Sequence, residues 1–227
     1  MTRTILRITA KVILWFIGIS LALVLLFKWV PVPITATMAL DGEVYEHGLS
    51  KDWEPLSNID RNLVMAVIAA EDSKYCSHGG FDTTAIAKAA VNNVQGGRIR
   101  GGSSISQQTA KNVFLWQGGG YFRKGMEAWF TFLIEKVWGK RRIMEVYLNV
   151  AETGIATYGA HAGAQRYFGH SAARLTRDEA ARMAVALPLP KEREVVSPSG
   201  WLARHGQTIS ARMHVVRRDG LDSCVYE

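Results

Sequence analysis

The sequence predicts a mainly α fold, with one membrane-spanning helix ahead of a compact helical domain. Three observations carry that expectation. Residues 12–27, VILWFIGISLALVLLF, hold no charge. Beyond Asp60, apolar residues recur at helical spacing, in segments opened by capping residues or closed by glycine or proline. No stretch sustains the apolar–polar alternation of a half-buried strand, which leaves room for at most a small hairpin. With 227 residues, 48% of them hydrophobic, the chain can fill one anchor and one domain core.

The anchor comes first. Trp29 and Val30 extend the apolar run past Lys28, so residues 12–30 are long enough to cross a bilayer with Lys28 snorkelling at one end. Arg3, Arg7 and Lys11 precede it and assign residues 1–11 to the cytoplasm and the remainder to the far side. A cleaved signal peptide is the rival reading. Its apolar region is usually shorter, and no clear small-x-small cleavage site follows. Residues 31–45 then read as a short extended linker, because Pro31 and Pro33 disfavour helix. Residues 46–227 form the domain.

Within the domain, DRNLVMAVIAAED opens on a capping Asp60 and should end near Glu71. DTTAIAKAAVNNV is a second helix, capped by Asp82 or Thr83. Residues 96–102 are a loop rich in glycine and arginine. In GGSSISQQTAKN (residues 101–112), Ser104 and Gln107 match a capping box, so a helix should run through Lys111 towards Val113. Gln107, Gln108 and Lys111 share one face of it, and a polar face near a helix N-terminus suits an anion. WQGGGYF is another loop. RKGMEAWFTFLIEKVW is a long helix on which Arg123 and Lys124 flank Glu127, and KRRIMEVYLNVAE continues the helical pattern. TGIATYG is a loop, GAQRYFG closes a short helix at Gly169, and Thr176 with Glu179 caps a helix that stops at Pro188.

Charge narrows the function classes. The net charge is +7, but four of the 27 basic residues lie in the anchor region and all 20 acidic residues lie after it, which leaves +3 on the exported part. That is too little for a nucleic-acid binder. The basic charge is local: nine Lys or Arg from Arg98 to Arg142 stand against Glu127 and Glu135, as if to meet an anionic lipid or phosphate. The histidines show no metal-ligand spacing. Cys76 and Cys224 are the only cysteines. Outside the cytoplasm they could pair, but two cysteines make no disulfide framework, and two unpaired thiols are the favoured reading.

Four stretches in order, EDSKYCSHGGFD (71–82), GGSSISQQTAKN, RKGME (123–127) and KRRIMEVYLN (140–149), resemble the peptidoglycan glycosyltransferases, the family that also forms the first half of bifunctional penicillin-binding proteins. The likeness covers roughly residues 60–198 and points to the monofunctional branch, with no penicillin-binding half. It implies a lysozyme-like fold of two lobes with a cleft between them. It also implies polymerisation of lipid II into β-1,4 glycan with release of undecaprenyl pyrophosphate, at the periplasmic side of the inner membrane. By position, Glu71 resembles the general base on the acceptor hydroxyl and Glu127 the second carboxylate, beside the leaving pyrophosphate. Gln108, Lys111, Arg123 and Lys124 fall where the family binds phosphates and sugars. Asp72, His78, Ser103 and Asn149 match positions that shape the cleft, and Gln107 and Asn112 complete the expected substrate-binding set. His78 reads as structural. No obligatory cofactor is implied, although Mg or Mn could accompany the pyrophosphate. The implied partners are lipid II, the growing strand, the membrane and other wall-synthesis or division proteins, and no nucleic acid.

Two positions depart from the family pattern. Tyr75 stands where phenylalanine is usual. Gly119 stands where monofunctional relatives usually carry an arginine, so Gly119→Arg should leave activity unchanged or raise it, and Arg98 or Arg100 could supply the missing cation. Two rivals remain: a lytic enzyme of similar fold, which would need no pyrophosphate site, and an inactive membrane-tethered scaffold, for which Gly119 is the only support.

Overall fold

The computed structural model describes residues 2–94 and 102–226; Arg98 and Arg100 lie outside them. Helix α1 (Thr2–Trp29) is the apolar helix expected of an anchor, long enough to cross a membrane. It is exposed along most of its length but not detached. Ser20 and Val24 are buried. The indole N–H of Trp129 donates to Ser20 Oγ (3.0 Å), and that of Trp138 donates to the Val24 carbonyl (2.7 Å). The Arg142 guanidinium donates to the Phe27 and Val30 carbonyls, both at 2.8 Å, and so satisfies groups that the helix end leaves unpaired.

The expected extended linker is extended only at its prolines. Thr35 caps α2 (Ala36–Ala39) and Asp41 caps α3 (Gly42–His47). Both helices begin after Pro33, so neither proline can interrupt them, and the fully buried Met38 fastens α2 to the domain. The segment is a strap lying on the domain.

Asp60 caps α4 (Arg61–Glu71), whose residues from Leu63 to Ala69 are all buried. A helix apolar on every side belongs at the centre of a core. After a 3₁₀ turn (Tyr75–Ser77), Asp82 accepts from the Ala85 amide at the start of α5 (Thr83–Val94). The Ser104–Gln107 capping box opens α6 (Ile105–Phe114). Next come α7 (Gly120–Val137) and α8 (Gly139–Val150), which the sequence pattern reads as one run. They separate where Gly139 takes a left-handed φ of 74°. TGIATYG is not simply loop. Strands β2 (Glu152–Gly154) and β3 (Thr157–Tyr158) pair antiparallel, and β1 (Ser50–Lys51) joins β3 in parallel, giving the order β1-β3-β2. Strands of two or three residues are too short to show alternation.

Helix α9 (Ala160–Phe168) ends at a left-handed Gly169, and α10 (Arg177–Ala186) opens on the Thr176–Glu179 capping box. Helices α11 (Gly200–Arg218) and α12 (Ser223–Tyr226) complete the chain. Helices α4, α10 and α11 pack together as one group, and α6, α7 and α8 as another. The chain is mostly helical, in keeping with a lysozyme-like domain.

The two cysteines do pair, contrary to the expectation of free thiols. Cys76 and Cys224 form a disulfide between Cα atoms 5.5 Å apart, across 148 residues of sequence. The C-terminal tail is drawn there by ordinary contacts. Arg61 makes a two-pronged ion pair with the fully buried Asp222 (2.7 and 2.9 Å), its guanidinium lies 4.8 Å from the Tyr226 ring, and Arg141 donates to the Val225 carbonyl (2.8 Å). Cysteine count alone could not reveal that docking.

Candidate active site

Glu71 is the last residue of α4, and Asp72 caps that helix. Asp72 is buried, and its carboxylate accepts from the Ile105 amide at the first turn of α6 (3.1 Å) and from His78 Nε2 (2.9 Å). His78 Nδ1 in turn accepts from the Gly80 amide (3.1 Å). That bond uses the Nδ1 lone pair, and Nε2 faces Asp72. Asp72 and His78 therefore lock the end of α4 against the start of α6.

The lock brings two candidate groups together. Gln108 Nε2 donates to Glu71 Oε2 at 2.8 Å. Burial raises the Glu71 pKa above the ordinary carboxylate range; the bond from Gln108 and the charge of Arg193 oppose this, and neighbouring Asp72 adds to it. Tyr75, at the departure from the family pattern, is fully buried, and its hydroxyl donates to the Lys140 carbonyl (2.8 Å). The extra oxygen thus has a partner, as a buried polar group requires.

A second carboxylate cluster sits on α7. Glu127 is buried, pairs with Arg123 at 2.7 Å and also accepts from Lys124. Lys124 Nζ reaches Ser103 Oγ as well (3.1 Å), which ties α7 to the loop ahead of α6. Arg123 additionally donates to the Gly118 carbonyl. Both cations are thus partly neutralised.

Lys111 differs. It has no ion-pair partner among the described residues; its one polar contact is a long bond to Gln117 Oε1 (3.4 Å). Burial lowers its pKa, and it sits within electrostatic range of Glu127, Arg123, Lys124 and Glu152. A half-buried ammonium without a carboxylate is a cation waiting for an anion.

Gln107 and Asn149 are framework groups. Gln107 gives its side-chain Oε1 to the Ser104 amide in the capping box. Asn149 is 1% exposed and spends its amide on the Glu54 backbone (2.8 Å each way) and the Glu145 carbonyl (2.8 Å). The Asn149 amide is committed inside the fold, whereas the Gln107 cap uses only its Oε1. Asn112, Gln108 and Lys111 instead line an open cavity of about 310 Å³, shared with Thr37, Glu152 and the loop after α10. Glu71 and Glu127 lie outside its walls. Hydrogen bonds and charge locate the candidate site better than cavity size does, and the cavity reads as its extension. Sequence reasoning missed Thr37, Glu152, Lys191 and Arg193, which are brought in by the strap, β2 and the loop after α10; only the clustering of charge in PLPKEREVV (188–196) could have drawn attention to the last two.

Gly119 is explained by its backbone. It caps α7 with φ +83°, between Gly118 (82°) and Gly120 (55°), and a Cβ there would meet Arg123 Cβ at 2.8 Å and Trp116 Nε1 at 3.1 Å. An arginine at this position would be strained and would press on the side chain that holds Glu127. The expectation that Gly119→Arg is harmless is therefore reversed.

A family model described as Transglycosylase matches residues 41–216. The chain is 52% identical over 202 residues to a Caulobacter vibrioides protein named biosynthetic peptidoglycan transglycosylase, covering 89% of this chain and 88% of that one. Proteins of the same name from Pseudomonas putida (47% over 220 residues, 94% and 92% covered) and Pseudomonas syringae pv. tomato (45% over 226 residues, 96% and 95%) are similar along nearly their whole length.

Proposed function

Because the chain belongs to the transglycosylase family, we propose that its site joins lipid II units through Glu71, with Lys111, Arg123 and Lys124 on the leaving pyrophosphate. The activity itself, glycan polymerisation in cell wall synthesis, follows from the family. The observation that carries the site assignment is the pairing of environments. A carboxylate with a raised pKa stands at the end of α4, and a half-buried cation without a carboxylate partner stands on α6.

In the proposed step, the acceptor's 4-hydroxyl oxygen attacks C1 of the donor sugar. The new C–O bond forms as the bond from C1 to pyrophosphate breaks, with inversion. Glu71 takes the hydroxyl proton, and the bond electrons leave with the pyrophosphate. A raised pKa brings Glu71 nearer the value that suits a general base. The Gln108 amide holds the Glu71 carboxylate in place. Negative charge gathers on the departing phosphate oxygens, and fixed cations stabilise it without reorganising. Glu127 serves here as an anchor that aims Arg123 and Lys124. A divalent ion, if one takes part, arrives with the substrate.

The same reading puts α1 through the inner membrane with the domain in the periplasm. The cations ahead of its apolar run favour that orientation, and the Cys76–Cys224 bridge suits an oxidising compartment. Purified protein incubated with lipid II should yield long glycan. Glycan shortening without polymer would favour the lytic rival, and no reaction would favour the scaffold.

A further inference from the structure

The strap after the anchor reaches the cavity that Gln108 and Lys111 line, through Thr37. Asp41 stands where three distant segments meet. Its carboxylate accepts from Lys191 Nζ (2.7 Å) on the loop after α10, from the Tyr158 hydroxyl (2.7 Å) on β3, and from the Glu43 amide (3.1 Å) of its own strap. The Asp41 side chain is 8% exposed, whereas its Lys191 partner is a third exposed. Lys191 Nζ also makes an ion pair with Glu152 Oε1 at 3.3 Å.

Among the described residues, two polar atoms in this cavity wall are buried without a hydrogen bond: Thr37 Oγ1 from the strap, and Glu152 Oε1 from β2, which keeps only its ion-pair contact with Lys191. Folds leave few such groups unpaired unless a ligand or water completes them. A hydroxyl and a carboxylate oxygen suit the hydroxyl and acetamido groups of a sugar. The strap follows the membrane helix directly, so its seating determines where Thr37 faces the cavity.

We propose that Asp41 is a positioning residue for polymerisation: it clamps the strap and Lys191 across the cavity and so sets how tightly the cavity holds the glycan substrate. The clamp holds the Lys191 ammonium between Asp41 and Glu152. Without Asp41, the Lys191 loop and the strap end loosen beside Thr37. This inference rests on the glycan-polymerising reading.

The test is Asp41→Asn in the full-length protein in detergent. Asparagine keeps the size and can still accept from the Glu43 amide through Oδ1, while its NH2 donates to the Tyr158 hydroxyl in place of the oxygen that accepted from it, and the ion pair is lost. The KM for lipid II should rise roughly 3- to 10-fold with kcat changed less than about 2-fold, the pattern of lost uniform binding. Lys191→Met should match it. The double variant should be no worse than either single one, because both remove the same contact. Asp41→Glu should recover part of the loss. Amide hydrogen exchange over residues 35–47 should quicken in Asp41→Asn without substrate, a readout independent of turnover. Unchanged KM, additive effects of the two substitutions, or a fall in kcat and melting temperature alone would overturn the proposal. If the wild type makes no glycan, the functional reading fails by itself. The clamp is then judged by strap exchange and by direct titration with fluorescent lipid II, and unchanged exchange or affinity overturns it.

Discussion

Removing the Lys111 charge tests the phosphate assignment at its most exposed point. Arg123 and Lys124 already share Glu127, whereas among the described residues Lys111 has no such partner and makes one long bond, 3.4 Å to Gln117. Its ammonium is available to a phosphate and sits in a partly dry environment, where a charge-assisted hydrogen bond contributes about 1.5–3 kcal/mol. At ~1.4 kcal/mol per tenfold, Lys111→Met should lose roughly 10- to 200-fold in kcat/KM. Lys111→Gln should lose nearly as much, because it keeps length without charge, and Lys111→Arg should keep more activity than either. Stability should move the other way. Burial lowers the Lys111 pKa in the fold, so the folded state binds this proton less well than the unfolded chain. The penalty is present at neutral pH and vanishes as pH rises past the ordinary lysine value. Lys111→Met should therefore melt at or above the wild-type temperature at pH 7. The assays are lipid II turnover in matched detergent and calorimetry without substrate. Full activity in Lys111→Met would refute the reasoning, and a large loss of stability would show that the ammonium has a structural partner instead.

Three further outcomes are expected. Replacing Cys76 and Cys224 with serine should cost about 2–4 kcal/mol, given the long loop the bridge closes. That corresponds to a melting temperature lower by roughly 5–15 °C, and an unchanged value would mean the docked tail needs no bridge. Gly119→Arg should lose activity several-fold or more and cost about 1–3 kcal/mol through its left-handed φ and the contact with Arg123, while Gly119→Asn should be milder; wild-type behaviour of the arginine variant would contradict the backbone argument. Amino-terminal sequencing of the mature protein should find α1 retained, and protease added to spheroplasts should reach the domain but spare residues 1–11; a mature terminus at or beyond Thr35 would rule out the anchor.

Local signals made most of the helices legible. The caps at Asp60, Ser104 and Thr176 act within one turn, so spacing alone revealed them. The C-terminal tail was less accessible. Helix α11 buries Gly206, Ile209, Met213 and Val216, a usable helical pattern, but the seat of Asp222 on Arg61 and the bridge at Cys224 depend on contacts 148 or more residues away. The candidate site divides the same way. Glu127 with Arg123 and Lys124 can be read from one turn of helix, whereas the bond from Gln108 to Glu71 spans 37 residues and rests on Asp72 and His78. The strap was misread because prolines were given weight beyond their reach, and Gly119 because a missing side chain was noticed before the backbone that requires it.

The role of Glu71 as general base is tested most directly by the pH profile of lipid II polymerisation for the wild type beside Glu71→Gln. The base works when deprotonated, so wild-type kcat/KM should rise with pH, and burial should place that rise above the ordinary carboxylate range. Glutamine keeps the volume and can still accept from Gln108, but takes no proton. Glu71→Gln should fold, polymerise at least ~10²-fold more slowly and lack the rise. Near-wild-type polymerisation by Glu71→Gln, with the same pH profile, would contradict the account.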